Sequence, residues 1–244
     1  MSIKPTIFYA AIFLPLALKS QHTVNHTNMI WTGYYNTISL NKKWSLISDA
    51  QIRTNEWTSK LSQVLVRSGL SYKINNHVAV TGGFAFLKNA QYIEKELLLK
   101  NEWRPWQEFS YQTNFKKIKF IQRLRTEQRF LQQIANNKLS DQYTYIFRLR
   151  YRSDFQFPLK NNNIKILAGN EVLVNPGYLN NNRFFDQNRT YAAININTGT
   201  NTILQLQYLK IFQWHSNTSV RDDANVFRLN IYQQFNFKKN QHKK

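Results

Sequence analysis

The chain has 244 residues, a net charge of +20 from 33 Lys and Arg against 13 Asp and Glu, and no cysteine. That composition excludes disulfides, thiol catalysis, cysteine-ligated zinc and a lipid-modified N-terminal cysteine. The mean hydropathy of -0.53 excludes a helical membrane bundle but not a barrel, because alternating strands cancel in any hydropathy window.

At the N-terminus, Lys4 precedes an apolar stretch over 6–18 that is broken only by Pro15, and Leu18, Lys19 and Ser20 stand before Gln21. This is the pattern of a cleavable secretory signal over 1–20. Thirteen apolar residues fall short of the roughly 20 that a membrane-crossing helix needs. The remainder, 21–244, shows no Pro/Gly/Ser linker and no compositional break, so it reads as one domain with a short basic C-terminal tail.

From residue 30 onward the apolar residues recur with period two. Strands are expected over 30–40, 44–54, 61–74, 78–87, 104–115, 118–130, 143–157, 164–175, 187–196, 202–214 and 224–237. Nearly all reach the roughly 9 to 11 tilted residues of a membrane strand. The connections at 41–43, 75–76, 116–117, 158–163 and 197–201 are short. Longer ones are expected at 88–103, 131–142, 176–186 and 215–223, with a brief 55–60 in the same set. Turns short on one side and long on the other are the habit of outer-membrane barrels. Asn75-Asn76 tolerates positive φ and Gly199 suits a hairpin. Eleven visible strands conflict with the even counts of such barrels. A polar strand within 21–29 would make twelve, and merging one weak segment would make ten.

The segment 143–157 states the two faces most clearly. Tyr143, Tyr145, Phe147, Leu149, Tyr151, Phe155 and Phe157 share one parity, and Arg148, Arg150, Arg152 and Asp154 the other. Across the chain the polar parity collects Asp49, Arg53, Arg67, Glu108, Arg123, Arg125, Glu127, Arg129, Arg148, Arg150, Arg152, Asp154, Glu171, Arg189 and Arg228, so that ten arginines face five acids. An arginine facing lipid at mid-bilayer would cost about 2–4 kcal/mol, and three on one strand therefore fix that face inward. Aromatics gather at strand ends: Tyr72, Phe115, Phe157, Phe235 and Phe237 by the short turns, and Trp106, Phe130, Tyr143, Trp214 and Phe227 by the long loops. Trp106 has the inward parity, and Lys210 lies on the apolar one. The fold expected is an all-β, antiparallel, up-and-down transmembrane barrel in the outer membrane of a Gram-negative bacterium. A soluble exported β-sandwich, with the apolar face as core, shares the alternation.

The sequences Trp-Arg-Pro-Trp-Gln-Glu-Phe at 103–109, Arg-Leu-Arg-Thr-Glu-Gln-Arg-Phe at 123–130, Arg-Leu-Arg-Tyr-Arg at 148–152 and Phe-Asp-Gln-Asn-Arg at 185–189 resemble the family known as domain of unknown function 2490. The resemblance spans roughly 31–237 and is most specific in the Arg-x-Arg-x-Glu-x-Arg strand. It implies an outer-membrane barrel and carries no activity. Phe237 resembles the aromatic end of a barrel-assembly signal, although seven residues follow it.

Inside a ten- or twelve-stranded barrel, Arg123, Arg125, Glu127, Arg129, Arg148, Arg150, Arg152, Asp154, Glu171 and Arg189 would form a charge ladder, with Glu127 between Arg125 and Arg129, Arg148, Arg150 and Arg152 on the neighbouring strand, and Asp154 and Glu171 in cross-strand reach. Such a ladder either braces the barrel or, through its arginine excess, draws small anionic solutes into a narrow porin-like channel. No catalytic, cofactor-binding or metal-ligating set is legible. His215, with Asp222 and Asp223 in the same loop, is the one hydrolase candidate, and no nucleophile signature accompanies it. The basic charge carries no nucleic-acid-reading motif, and the turn and tail lysines suit solvent or anionic headgroups. Expected partners are outer-membrane lipid, the barrel-assembly machinery and small anions, with the barrel a monomer.

Overall fold

The computed structural model describes residues 23–94, 96–159, 163–177, 184–214 and 220–236. The signal segment, the basic tail, Phe237 and His215 lie outside the described residues. Within them the period-two pattern becomes eleven strands: β1 (Thr23–Ser39), β2 (Trp44–Asn55), β3 (Lys60–Lys73), β4 (Val78–Ile93), β5 (Glu96–Phe115), β6 (Ile118–Ala135), β7 (Lys138–Pro158), β8 (Ile164–Val174), β9 (Phe185–Gly199), β10 (Thr202–Trp214) and β11 (Val220–Asn236). Each pairs with its chain neighbours, and the sheet closes on itself.

Closure is where the structure departs from the expected count of twelve, or ten. The eleven described strands are joined by a parallel seam between β1 and β11, running from Thr23↔Val220 to Ser39↔Asn236. Residues 23–29 do not form a separate strand. Their backbone stays extended because β11 supplies ladder partners throughout, with Asn25 facing Asp222 and Asn28 facing Asn225. A parallel pair is slightly weaker per residue than an antiparallel one, and the 17-residue length of β1 offsets that. The other ten pairings are antiparallel.

Two connections expected to be long are tall hairpins instead. β4 continues to Ile93 and β5 begins at Glu96, while β6 reaches Ala135 and β7 begins at Lys138. Asn136 and Asn137 both take positive φ (50° and 57°), the geometry of a two-residue hairpin turn. These extensions escaped the alternation test because their apolar residues do not alternate, Leu97, Leu98 and Leu99 standing side by side and Leu131 and Ile134 falling on opposite parities, whereas the backbone ladder continues regardless. The short turn at 75–76 works differently from expectation. Asn75 is not in the positive-φ region; its Oδ1 accepts from the backbone N–H groups of His77 and Val78, both at 2.8 Å.

The alternation separates two surfaces. Outside stand Ile52, Val66, Leu70, Phe84, Phe109, Leu124, Leu206, Leu229 and Ile231, all exposed, Ile52 and Val66 by half (50% and 49%). Aromatic neighbours pack across strands on this face, among them Trp44 with Tyr72 at 4.7 Å, Phe120 with Phe155 at 4.7 Å and Phe130 with Tyr145 at 5.2 Å. Lys210 also points outward, where its Nζ donates to Asn225 Oδ1 at 3.1 Å.

Candidate functional site in the barrel interior

The inward parity of β5 to β9 brings charges of both signs into one network. Register sets like charges opposite each other, Arg125↔Arg150 and Arg123↔Arg152. The long side chains therefore reach diagonally to carboxylates. Arg150 donates to Glu127 Oε1 at 2.7 Å and to Glu171 Oε2 at 2.8 Å, and Arg123 reaches Glu171 Oε1 at 2.6 Å. Arg125 holds Glu108 through Nε at 2.7 Å and Nη2 at 2.5 Å. Fork-to-carboxylate pairing of this kind fixes geometry as well as charge.

Towards the β5 and β6 extensions, Arg129 grips Glu102 with two bonds, at 2.6 and 3.1 Å. Arg104 reaches the same carboxylate at 2.5 Å and stands 3.4 Å from Glu127. Arg148 pairs with Asp186 at 2.8 Å, and Arg152 with Asp154 at 2.7 Å. Asp154 also accepts from the Tyr191 hydroxyl. Arg189 contacts Glu171 at 3.4 Å and donates twice to Gln187, at 2.9 and 2.6 Å. On β2 and β3, Arg67 pairs with Asp49 at 2.7 Å.

Rings and glycines complete this wall. Trp106 is 1% exposed and lies inside, under Arg125 at 4.6 Å and Arg67 at 5.4 Å. Gly69 and Gly83 are register partners beneath it. A Cβ on Gly83 would meet Ser68 O at 2.2 Å and the indole at 2.7 Å, so the absence of side chains there is what seats the ring.

The opposite side of the interior, from β8 through β11 to β1, is built differently. Trp31, Leu167, Tyr191, Ala193, Leu209, Ile211, Ala224 and Val226 form a buried apolar cluster. Amides and phenols follow it towards the short turns: Asn230 donates to Gln205 at 2.8 Å, Gln205 to Asn195 at 2.8 Å, and Tyr35 stacks on Tyr232 at 4.6 Å.

Between the two walls runs a cavity of about 660 Å³. Its lining extends from Thr37, Ile47 and Ser48, near the short turns, to Asp186, Gln213 and Trp214 at the other end.

A profile of the family described as "Protein of unknown function (DUF2490)" matches residues 28–224. The chain belongs to that family. Among solved structures, the NanC porin, determined in a rhombohedral crystal form, is similar with a TM-score of 0.50 and 10% identity, over 83% of this chain and 97% of that one. At this identity the likeness is one of fold, a closed porin-like β-barrel. No curated protein matches the sequence.

In this DUF2490 barrel the ten residues read as a ladder line the cavity or are buried beside it, and several pair across strands, as Arg150 does with Glu127 and Glu171 and Arg123 with Glu171. Glu127 does not pair with Arg129, which goes to Glu102, and it stands 4.0 Å from Arg125. Glu102, Arg104 and Asp186 join the network unforeseen. Glu102 lay in an expected loop and Asp186 at the end of another, so neither had a strand parity to assign. Trp106 leaves the expected outer girdle for the interior, as its parity indicated. The apolar cluster also escaped notice, since Leu209 and Ile211 flank Lys210 in a run without clean alternation. Of the pair expected beside His215, Asp223 is bound by Arg221 at 2.7 Å, and Asp222 accepts from Asn25 at 3.2 Å.

Proposed function

We propose that this DUF2490 protein is an outer-membrane barrel that serves as a narrow porin-like channel favouring small anionic solutes. The observation that carries the reading is the 660 Å³ cavity between two dissimilar walls, one cross-braced by ion pairs and the other apolar and amide-rich, flanked by Arg53 and Arg228, which bond to neutral acceptors. Bracing and passage are separate tasks in this reading. The ladder of β5 to β9 neutralises most of its own charge and holds the barrel open, because each arginine is tied to a carboxylate on another strand or two positions along its own.

The opposite wall presents Arg53 and Arg228, whose hydrogen bonds go to the neutral acceptors Gln51, Gln207 and Tyr35. A cavity with low-dielectric walls and an unneutralised positive surface raises the local concentration of anions. Membrane placement is supported by the exposed apolar belt, and by β2, β8 and β10, whose 12, 11 and 13 residues suffice to span hydrocarbon when tilted. The partners this implies are lipid around the belt and the barrel-assembly machinery during insertion, and the barrel acts as a monomer.

The test is conductance of the folded protein in planar bilayers with a salt gradient. The expected result is discrete conductance steps with a reversal potential on the anion side. Absence of steps, or a preference for cations, would remove the channel.

A further inference from the structure

We infer that the wall opposite the ladder holds an oxyanion-binding site formed by Arg53, Arg228 and Trp31. The inference deepens the channel reading, on which it rests for the route by which solute arrives. Three guanidinium groups converge on the Trp31 ring, Arg53 at 4.2 Å, Arg228 at 5.6 Å and Arg189 at 5.8 Å from its centre. They come from β2, β11 and β9, so only barrel closure assembles them. Arg189 has a carboxylate neighbour in Glu171. Arg53 and Arg228 make no ion pair among the described residues. Arg53 donates to Gln51 Oε1 at 2.9 Å, and Arg228 to Gln207 Oε1 at 2.9 Å and Tyr35 Oη at 2.8 Å.

Three donors in this cluster have no acceptor, Arg53 Nε, Arg228 Nε and Trp31 Nε1; Arg123 Nε, Arg150 Nε and Trp106 Nε1 share that state on the ladder side, but there both arginines hold carboxylates through their other nitrogens. All three side chains line the cavity. Buried donors and charges are normally satisfied, and everywhere else in this interior arginines have found carboxylates. Two guanidiniums without a carboxylate and an indole N–H without an acceptor, all lining one cavity, form a donor set that fits an anionic solute. Its chemistry is set by the donors. Planar N–H forks fit the oxygen pairs of carboxylate, phosphate or sulfate better than a spherical halide, and a cavity of this volume is of small-molecule size. The Trp31 face holds the guanidiniums in place before the anion arrives, which lowers the ordering cost of binding.

The test is calorimetric titration of the folded full-length protein in detergent micelles with inorganic phosphate, acetate and chloride, beside conductance of the same preparation. Phosphate and acetate are expected to bind saturably and chloride to bind more weakly. Arg53→Gln and Arg228→Gln should each weaken oxyanion binding about tenfold or more, the scale of a lost charged hydrogen bond, whereas Arg221→Gln, which alters the pair with Asp223, should bind as the parent does. Heat-modifiable gel migration checks folding. If a Gln variant does not fold, Arg53→Lys and Arg228→Lys keep the charge, lose the fork, and should still weaken phosphate more than chloride. Lack of saturable oxyanion binding, or binding untouched by these substitutions, overturns the site even in a barrel that conducts anions. Binding that depends on Arg53 and Arg228 in a barrel that does not conduct sustains the site and removes the channel.

Discussion

Glu127 on β6 accepts from Arg150 on β7 at 2.7 Å, although its register partner is Arg148. The diagonal contact relieves the like-charge pair Arg125↔Arg150 and ties two strands that would otherwise repel.

Removing that carboxylate should therefore be costly. Glu127→Gln leaves Arg150 and Arg104 facing one another with less counter-charge in a buried setting, and truncating one side of such a pair costs about 3–5 kcal/mol. The expected result is a markedly lower midpoint for unfolding of the folded band in urea. Glu56→Gln, which breaks the exposed Glu56–Lys60 pair at 2.8 Å, should leave the midpoint unchanged.

Neighbouring glycines should respond in opposite ways. Gly83→Ala drives a Cβ into Ser68 O and the Trp106 ring, and overpacking of this kind costs about 1–3 kcal/mol. At Gly82 an added Cβ meets nothing within 4 Å, so Gly82→Ala should be tolerated. Tryptophan emission, followed through urea unfolding, reads both. Equal behaviour of the two variants would show that Trp106 is not seated on Gly83.

Lipid contact can be read from one residue on each face. Leu206 is 48% exposed on the outer belt, and Leu206→Arg should cost about 2–4 kcal/mol if that face lies in hydrocarbon. The measurement is the equilibrium of folding into phospholipid vesicles. A variant that folds as well as the parent would place the belt in water and remove the membrane reading. Gln207→Arg, one position on and inside the barrel, should be better tolerated on lipid grounds.

How much of this was legible in the chain depends on what each feature rests on. A strand's parity is a local property, so Arg148, Arg150 and Arg152 on one side of β7, and Tyr143, Tyr145 and Tyr151 on the other, follow from their order alone. Period-two alternation, combined with the cost of arginine in lipid, decides which side is inside. The same reasoning made Trp106 an uneasy member of the outer girdle, and its seat against Gly69 and Gly83 explains why. It failed in the hairpin extensions, where the surroundings of Glu102 and the Asn136-Asn137 turn carry no alternation to read.

The sequence by itself determined the two-faced strands, their succession and the inward address of the charges, because side-chain direction alternates with every residue whatever the partner strand. Tertiary structure alone decided the closure through β1 and β11, the choice of carboxylate for each arginine, and the meeting of Arg53 and Arg228 on Trp31. Those outcomes depend on register and curvature between strands separated by up to two hundred or so positions in the chain, which no local pattern encodes.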